Sequence, residues 1–586
     1  MILQALTDLY ETLVEKGKLE APGWTMGKVS WALELDDDGK VVDVHPLRIA
    51  GGKGNKMVPA QRRLPAPVKR TVGIAANFLW DNSSYILGSD SKGKPERALR
   101  CFDNASALHQ TILAEVDSPA ARALVNYYQS WRPDDLESAP ALAERREELL
   151  SGENITFFYR GRPVAEDPEI QRAWARAYSA ESGTEEGTST RCLITGEETV
   201  PEKIHPAIKN VRGAQSSGAA LVSFNAPAFC SFGHEQNANA PVSRYAAFAY
   251  TAALNHLLAD REHVKIVGDA SVVYWAKDAG EQYTDLWSEL MDGGDQISGE
   301  TLDELIAAIA TGKEARFREL PIHPANEFFV LGISPNAARL SVRFFYHSSF
   351  GDLVAHLQQH YEDIRIVSDG RNKWRMMPLW ALLRETVNAK SSDKTPLPQL
   401  AGDVMKSMLS GGRYPETLLY QTLLRIRAEH DITCGRAGIV KAWLIRNTKE
   451  HPLRDAIKEV SIVSLNTESS FTPYVLGRLF AVLEGLQQDA NPGINATIKD
   501  RFFNSACSTP AAVFPLLMKL SNSHLRKLEA GRQIFWSKQT GDLLGKLGES
   551  FPAHLSLQEQ GAFILGYYHQ TQKRYEKKTD TVKEEK

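Results

Sequence analysis

The chain has 586 residues, of which 43% are hydrophobic and 24% charged, with a formal net charge of -4. That length exceeds the roughly 250–300 residues at which a single core stops growing, so at least two domains are expected. The composition excludes wholesale disorder, and the near-balanced charge excludes a protein that is basic throughout while leaving room for a local basic patch.

The opening MILQALTDLYETLVEKGK carries Asp8, Glu11 and Glu15 within its apolar pattern and reads as an amphipathic helix, not a secretory leader. No apolar run approaches the ~20 residues of a membrane span, so a soluble, cytoplasmic protein without a membrane partner is expected. Residues 28–48 alternate apolar and polar side chains on both sides of Asp37-Asp38-Gly39, the pattern of a β-hairpin. The stretch that follows contains Lys53, Lys56, Arg62, Arg63, Lys69 and Arg70 with no acid among them. It reads either as a solvated loop or as a segment that holds an anion.

Residues 71–88, TVGIAANFLWDNSSYILG, are apolar but interrupted by Asn77 and by Asp81-Asn82, which predicts two short strands with a polar loop between them. Helices are expected over 102–150, broken near Pro133 and Pro140, then a strand at NITFFYR, a helix begun by Pro168, and a hairpin at RCLITGEETV. The run GAQSSGAALVSFN, residues 213–225, reads as a polar turn followed by a strand, and Pro241 to Ala259 as a buried helix. The stretches HVKIVGD, SVVYWAK, EFFVLGIS and ARLSVRFFYHS should be strands, with Ser334-Pro335-Asn336 as the turn between the last two.

Past the polar linker NAKSSDKTPLPQ the pattern becomes helical, with up to about five or six helices forming a bundle. The expected fold class is α+β. A mixed hairpin and helix domain over 1–390, with room for two subdomains, is followed by an all-α bundle over 400–575 and a charged tail over 576–586.

Catalytic motifs are weak. AQSSG fits a relaxed nucleophile elbow around Ser216, but an elbow serine follows a strand and starts a helix, and here the turn precedes the strand. Cys192 and His205 supply two zinc ligands where a structural site needs four, and His430-Asp431 lacks the further His and Asp ligands of a metal phosphohydrolase. No phosphate-cradling loop or dinucleotide fingerprint occurs, so no cofactor is expected. The five cysteines form no close pair, as suits reduced thiols.

Neutral hydrogen-bonding side chains do gather in two loops: Gln215, Ser216, Ser217 and Asn225, then Gln236, Asn237 and Asn239. They suit phosphates and the acceptor atoms of base edges, or the capping of their own backbone.

The run HPAIKNVRGAQSSGAALVSFNAPAFCSFGHEQNANAPVSRYAAFAYTAALNHLL, residues 205–258, resembles the signature block of the large subunit of type I-C CRISPR surveillance complexes (Cascade). MILQALTDLYETL, GIAANFLWDNSSYILG, CLITGEETVPEKIHPAIK and FFVLGISPNAARLSVRFFY carry the same resemblance in the same order along the chain. It implies a non-enzymatic antiviral subunit that inspects duplex DNA for a protospacer-adjacent motif, helps to open the helix into an R-loop and recruits a separate helicase-nuclease. The implied partners are the guide RNA, the target duplex, the backbone and RNA-processing subunits, and a separate small subunit that the C-terminal bundle resembles. Discrimination beyond the short motif belongs to the guide.

On this reading the basic run from Lys53 to Arg70 holds the DNA backbone, Asn77 and Phe78 probe the minor groove, and the two polar loops reach base edges or the guide. Arg478, Lys499, Arg501, Lys519, Arg526 and Lys527 then line a track for the displaced strand. The enzymatic alternative is a metal-dependent nuclease or serine hydrolase with a cryptic site.

Overall fold

In a computed structural model the described residues are 1–50, 57–68, 73–90, 94–181, 189–224, 226–294, 299–370, 374 and 376–575. The fold is α+β. Two compact units account for the chain: Met1–Pro206 with Val222–Leu254, and Ala207–Leu221 with Asn255–Lys586.

The first unit is built on the predicted hairpin. Strands Trp31–Leu35 and Val41–Pro46 pair antiparallel, and Trp31–Leu35 also runs parallel to Asn154–Tyr159, the strand expected at NITFFYR. Asp36 closes the turn by accepting the Lys40 amide on Oδ1 at 2.8 Å. Gly39 completes it at φ +80, where a Cβ would stand 2.4 Å from the amide of Tyr127 on the helix Pro119–Ser130. Helices Pro95–Leu113 and Pro119–Ser130 both begin with proline in the first turn, where its missing N–H costs nothing. Phe102, Leu124 and Tyr127 from these helices share one core with Leu33 and Phe157 of the sheet.

The segment 71–88 departs from its expected pair of strands. One short strand, Trp80–Asn82, runs directly into the single helical turn Ser83–Ile86. The cause is capping: the Asn82 side chain accepts the Ser84 amide at 3.1 Å, so a residue that looked like loop polarity starts a helix.

The second unit carries a four-stranded antiparallel sheet in the order Lys265–Val267, Ala270–Ala276, Glu327–Asn336, Arg339–Ser349. Its last hairpin turns at Ala337-Ala338, with Ala337 at φ +54 and Asn336 opposite Arg339, two residues later than the Ser334-Pro335-Asn336 turn expected from composition. Proline is tolerated in the strand there because pairing to the Ala270–Ala276 side has already ended at Ile333, so no partner asks for its missing N–H. The strand expected at GAALVSFN reduces to two isolated bridges, Ile208 with Ala219 and Ala220 with Arg339.

Nine helices between Pro398 and Tyr575 are found among the described residues, more than composition predicted. The change to helical composition near residue 390 is not a break in packing. Val272 and Val330 of the sheet and Val404, Leu444 and Phe480 of the helices belong to one continuous core. Within it the helices Thr472–Ala490 and Leu557–Tyr575 touch backbone to backbone at Gly477 and Gly566.

Candidate nucleic-acid interface

The basic run is in part a strand. Met57–Pro65 pairs with Trp24–Val29 on one side and Arg48–Ala50 on the other, which sets Arg62 opposite Gly27 and Arg63 opposite Met26. Arg63 is engaged within the fold: its Nε donates to Glu20 Oε2 at 2.6 Å and its guanidinium lies 4.4 Å from the centroid of the Trp24 ring. Arg62 is exposed and makes no side-chain hydrogen bond or ion pair with a described residue, and Lys28 is exposed on the neighbouring strand opposite Gln61. Lys53, Lys56, Lys69, Arg70 and Asn225 lie outside the described residues.

Asn77 and Phe78 are interior residues in this structure, which corrects their placement as surface probes. Asn77 is 7% exposed, and its Oδ1 accepts the Val68 amide at 3.0 Å while its own amide donates to Asp81 Oδ2 at 3.0 Å. Phe78 is 1% exposed and stacks on Trp174 with ring centroids 5.3 Å apart. The next residue, Leu79, adopts φ +65 and donates its amide to His109 Nε2 at 2.9 Å, while His109 Nδ1 donates to the Ala105 carbonyl at 2.7 Å. His109 is therefore held as the neutral Nδ1 tautomer, and burial pulls its pKa down to about 4.

Ser216 and Ser217 are the central residues of a turn in which the Gly218 amide donates to the Gln215 carbonyl at 2.9 Å. The turn is anchored on the second unit's sheet, because the Arg212 amide donates to Ser271 Oγ at 3.1 Å and the Ala220 amide to the Ala338 carbonyl at 3.0 Å. The side chains of Gln215, Ser216 and Ser217 are exposed and make no hydrogen bond with a described residue. Among the described residues no helix starts at Ser216, so the geometry of a nucleophile elbow is absent from this turn.

The second polar loop works differently. Asn237 is buried and donates to the Glu202 carbonyl at 2.9 Å. Asn239 accepts the Ser231 amide on Oδ1 at 2.8 Å and donates through Nδ2 to the carbonyls of His234 and Gln236 at 3.1 and 2.9 Å. Gln236 is exposed, at φ +45. Asn239 thereby braces a turn closed by the His234 amide on the Ser231 carbonyl at 3.0 Å. At its apex Phe232 and Gly233 have φ +53 and +75, and the Phe232 side chain is 98% exposed.

A fully exposed phenylalanine in a left-handed conformation carries both a solvation cost and backbone strain of order 1 kcal/mol or more. Sequence reading missed Phe232. Its signal was a Phe-Gly pair in a stretch of turn formers without apolar periodicity.

The C-terminal cations divide as well. Arg478 is 7% exposed, with Nε on Gln570 Oε1 at 3.1 Å and Nη1 on the carbonyls of Asn466 and Thr467 at 3.0 and 3.2 Å. Burial pulls its pKa below the ordinary arginine value. It clamps a loop to two helices and presents no charge to a strand, which removes it from the proposed track. Lys499 is half-buried beside Asp369, Asp431 and Tyr568 in a hollow of about 190 Å³. Arg501, Lys519 and Arg526 are exposed, and Lys527, also exposed, donates to Asn491 Oδ1 at 2.7 Å.

At the weak metal candidates, Cys192 Sγ accepts the amides of Ser243, Ile194 and Thr195 at 3.2, 3.4 and 3.4 Å, and His205 Nδ1 pairs with the Tyr250 hydroxyl at 2.7 Å. His430 caps the helix Glu416–Glu429 at φ +51. Among the described residues no group of three or more His, Cys, Asp or Glu could hold a metal ion. No helix among them is long and apolar enough to cross a membrane.

The family of CRISPR-associated proteins described as Cas_Csd1 matches residues 6–575 of the chain. A search of curated proteins finds no match. With the match spanning nearly the whole sequence, the chain belongs to the Cas_Csd1 family, the large-subunit family of type I-C CRISPR systems.

Proposed function

We propose that this type I-C CRISPR-associated protein is the non-catalytic large subunit of a guide-RNA surveillance complex. In that role it reads a protospacer-adjacent motif in duplex DNA, helps to part the strands and offers a surface to a separate helicase-nuclease. The observation that carries the reading is Phe232. An aromatic ring projected into solvent on a turn braced by Asn239 has the form of a wedge for a base step, where unstacking costs a few kcal/mol and aromatic insertion offsets it. Phe232 thus takes the part that sequence alone gave to Phe78. Arg62 supplies an unpaired charge for a phosphate, and Gln215, Ser216 and Ser217 supply uncommitted donors and acceptors for base edges or the guide.

The test uses the complex assembled with guide RNA and its other subunits on a duplex carrying 2-aminopurine beside the motif. Phe232→Ala should suppress the fluorescence rise that reports unstacking while leaving duplex affinity within about threefold, less than 1 kcal/mol. Arg62→Ala should weaken all duplexes alike and reduce the salt slope by about one. Equal behaviour of the two variants would refute this division of roles. DNA or ester hydrolysis by the purified chain that disappears in Ser216→Ala or His430→Ala would overturn the non-catalytic reading.

A further inference from the structure

The helix Cys434–Asn447, the turn after it and the short helix Arg454–Val460 surround a hollow of about 370 Å³ within the second unit. Its floor is aliphatic, made by buried Leu444 and Ile457 and half-buried Ile445. Thr448 lines it with a hydroxyl that is already committed to the Leu444 carbonyl at 2.7 Å.

Lys449, Arg454 and Lys458 form the rim. All three are exposed, and none makes a side-chain hydrogen bond or ion pair with a described residue. Arg454 and Lys458 stand four residues apart on one helix, where like charges repel and an acid at either position would relieve the strain. The neighbouring carboxylates Asp455 and Glu459 do not line the hollow, and Glu450 is paired with Arg413 at 2.6 Å.

An apolar floor inside a ring of unneutralised cations selects a ligand with the reverse pattern, an apolar side chain between anionic groups. One observation favours a peptide over a nucleic acid. Single strands bind on aromatic platforms, and among the described residues no aromatic side chain lines this hollow.

We infer that this hollow docks an acidic segment of a protein partner, seating one or two Leu, Ile or Phe side chains against Leu444, Ile445 and Ile457 while flanking Asp or Glu residues meet Lys449, Arg454 and Lys458. The inference does not depend on how the first unit meets DNA.

The test titrates the full chain into a fluorescein-labelled peptide with a central Leu-Phe pair between Asp and Glu residues and follows anisotropy. Binding in the range of tens of micromolar is expected, weakened at least about tenfold by Arg454→Ala with Lys458→Ala and by replacing the peptide's Leu-Phe pair with Ser-Ser. Ile445→Ser, at a half-buried position, should weaken it while leaving the far-UV circular dichroism unchanged. Equal affinity for the Ser-Ser peptide would reduce the site to unspecific charge attraction and overturn the proposal. Unchanged affinity in the double variant, or stronger binding of an oligothymidylate that displaces the peptide, would overturn it too.

Discussion

The helix pair at the centre of the second unit makes the sharpest demand on sequence. A Cβ at Gly477 would lie 1.9 Å from the Phe563 carbonyl oxygen, and one at Gly566 would lie 2.1 Å from the Tyr474 carbonyl oxygen. A carbon to oxygen contact relaxes only near about 3.3 Å, so Gly477→Ala forces the helices roughly 1.4 Å apart. The obstacle is backbone and has no rotamer to escape into. Overpacking of this kind costs about 3 kcal/mol or more, against about 1 kcal/mol gained in helix propensity, leaving a net loss of about 2 kcal/mol.

Gly541 is the internal control, lying in the helix Ala530–Leu544 with nothing within 4 Å of its missing Cβ. Gly541→Ala should stabilise by about 0.5–1 kcal/mol. Urea unfolding of the full chain, followed by far-UV circular dichroism, gives both signs as midpoint shifts. Combining Gly477→Ala with Gly566→Ala should cost less than the sum of the two, because helices already parted admit the second methyl. A neutral or stabilising Gly477→Ala would refute the close approach.

Other measurements address single residues. For His109, the folded pKa of about 4 lies below the unfolded value near 6.5, so its contribution of about 3 kcal/mol is complete above pH 6.5 and fades as pH falls toward 4. His109→Gln should flatten that part of the stability profile, and an unchanged profile would contradict the neutral tautomer. Arg478→Ala should lower the urea midpoint by the equivalent of about 2–3 kcal/mol, since it leaves the Asn466 and Thr467 carbonyls without their donor. A variant of unaltered stability that binds single strands more weakly would restore Arg478 to a strand track. Asn239→Ala should speed hydrogen exchange at the Ser231 amide and reduce strand opening as Phe232→Ala does, although the ring is still present. Retained opening would show that the brace is dispensable.

Local pattern carried much of the architecture. The hairpin around Asp37-Asp38-Gly39, the strand at 154–159 and the helices of the C-terminal part were legible because alternation and helical spacing are properties of neighbouring residues. The family was legible because long blocks matched in order. Asn82 was misread because its role depends on where its side chain turns, inward to the Ser84 amide.

Which aromatic meets solvent was decided only in three dimensions. Phe78 and Phe232 both stand beside turn-forming residues, yet one stacks on Trp174, distant in sequence, and the other stands free above a turn tied by Asn239. Arg478 and Arg62 divide in the same way, one clamped by Gln570 and the other unpaired. Sequence by itself determined many of the helices and strands, where local periodicity is strong, and which family the chain joins. Exposure, and with it the choice of residues able to touch a ligand, was set by the tertiary structure, because burial depends on what the chain brings back from far away along its length.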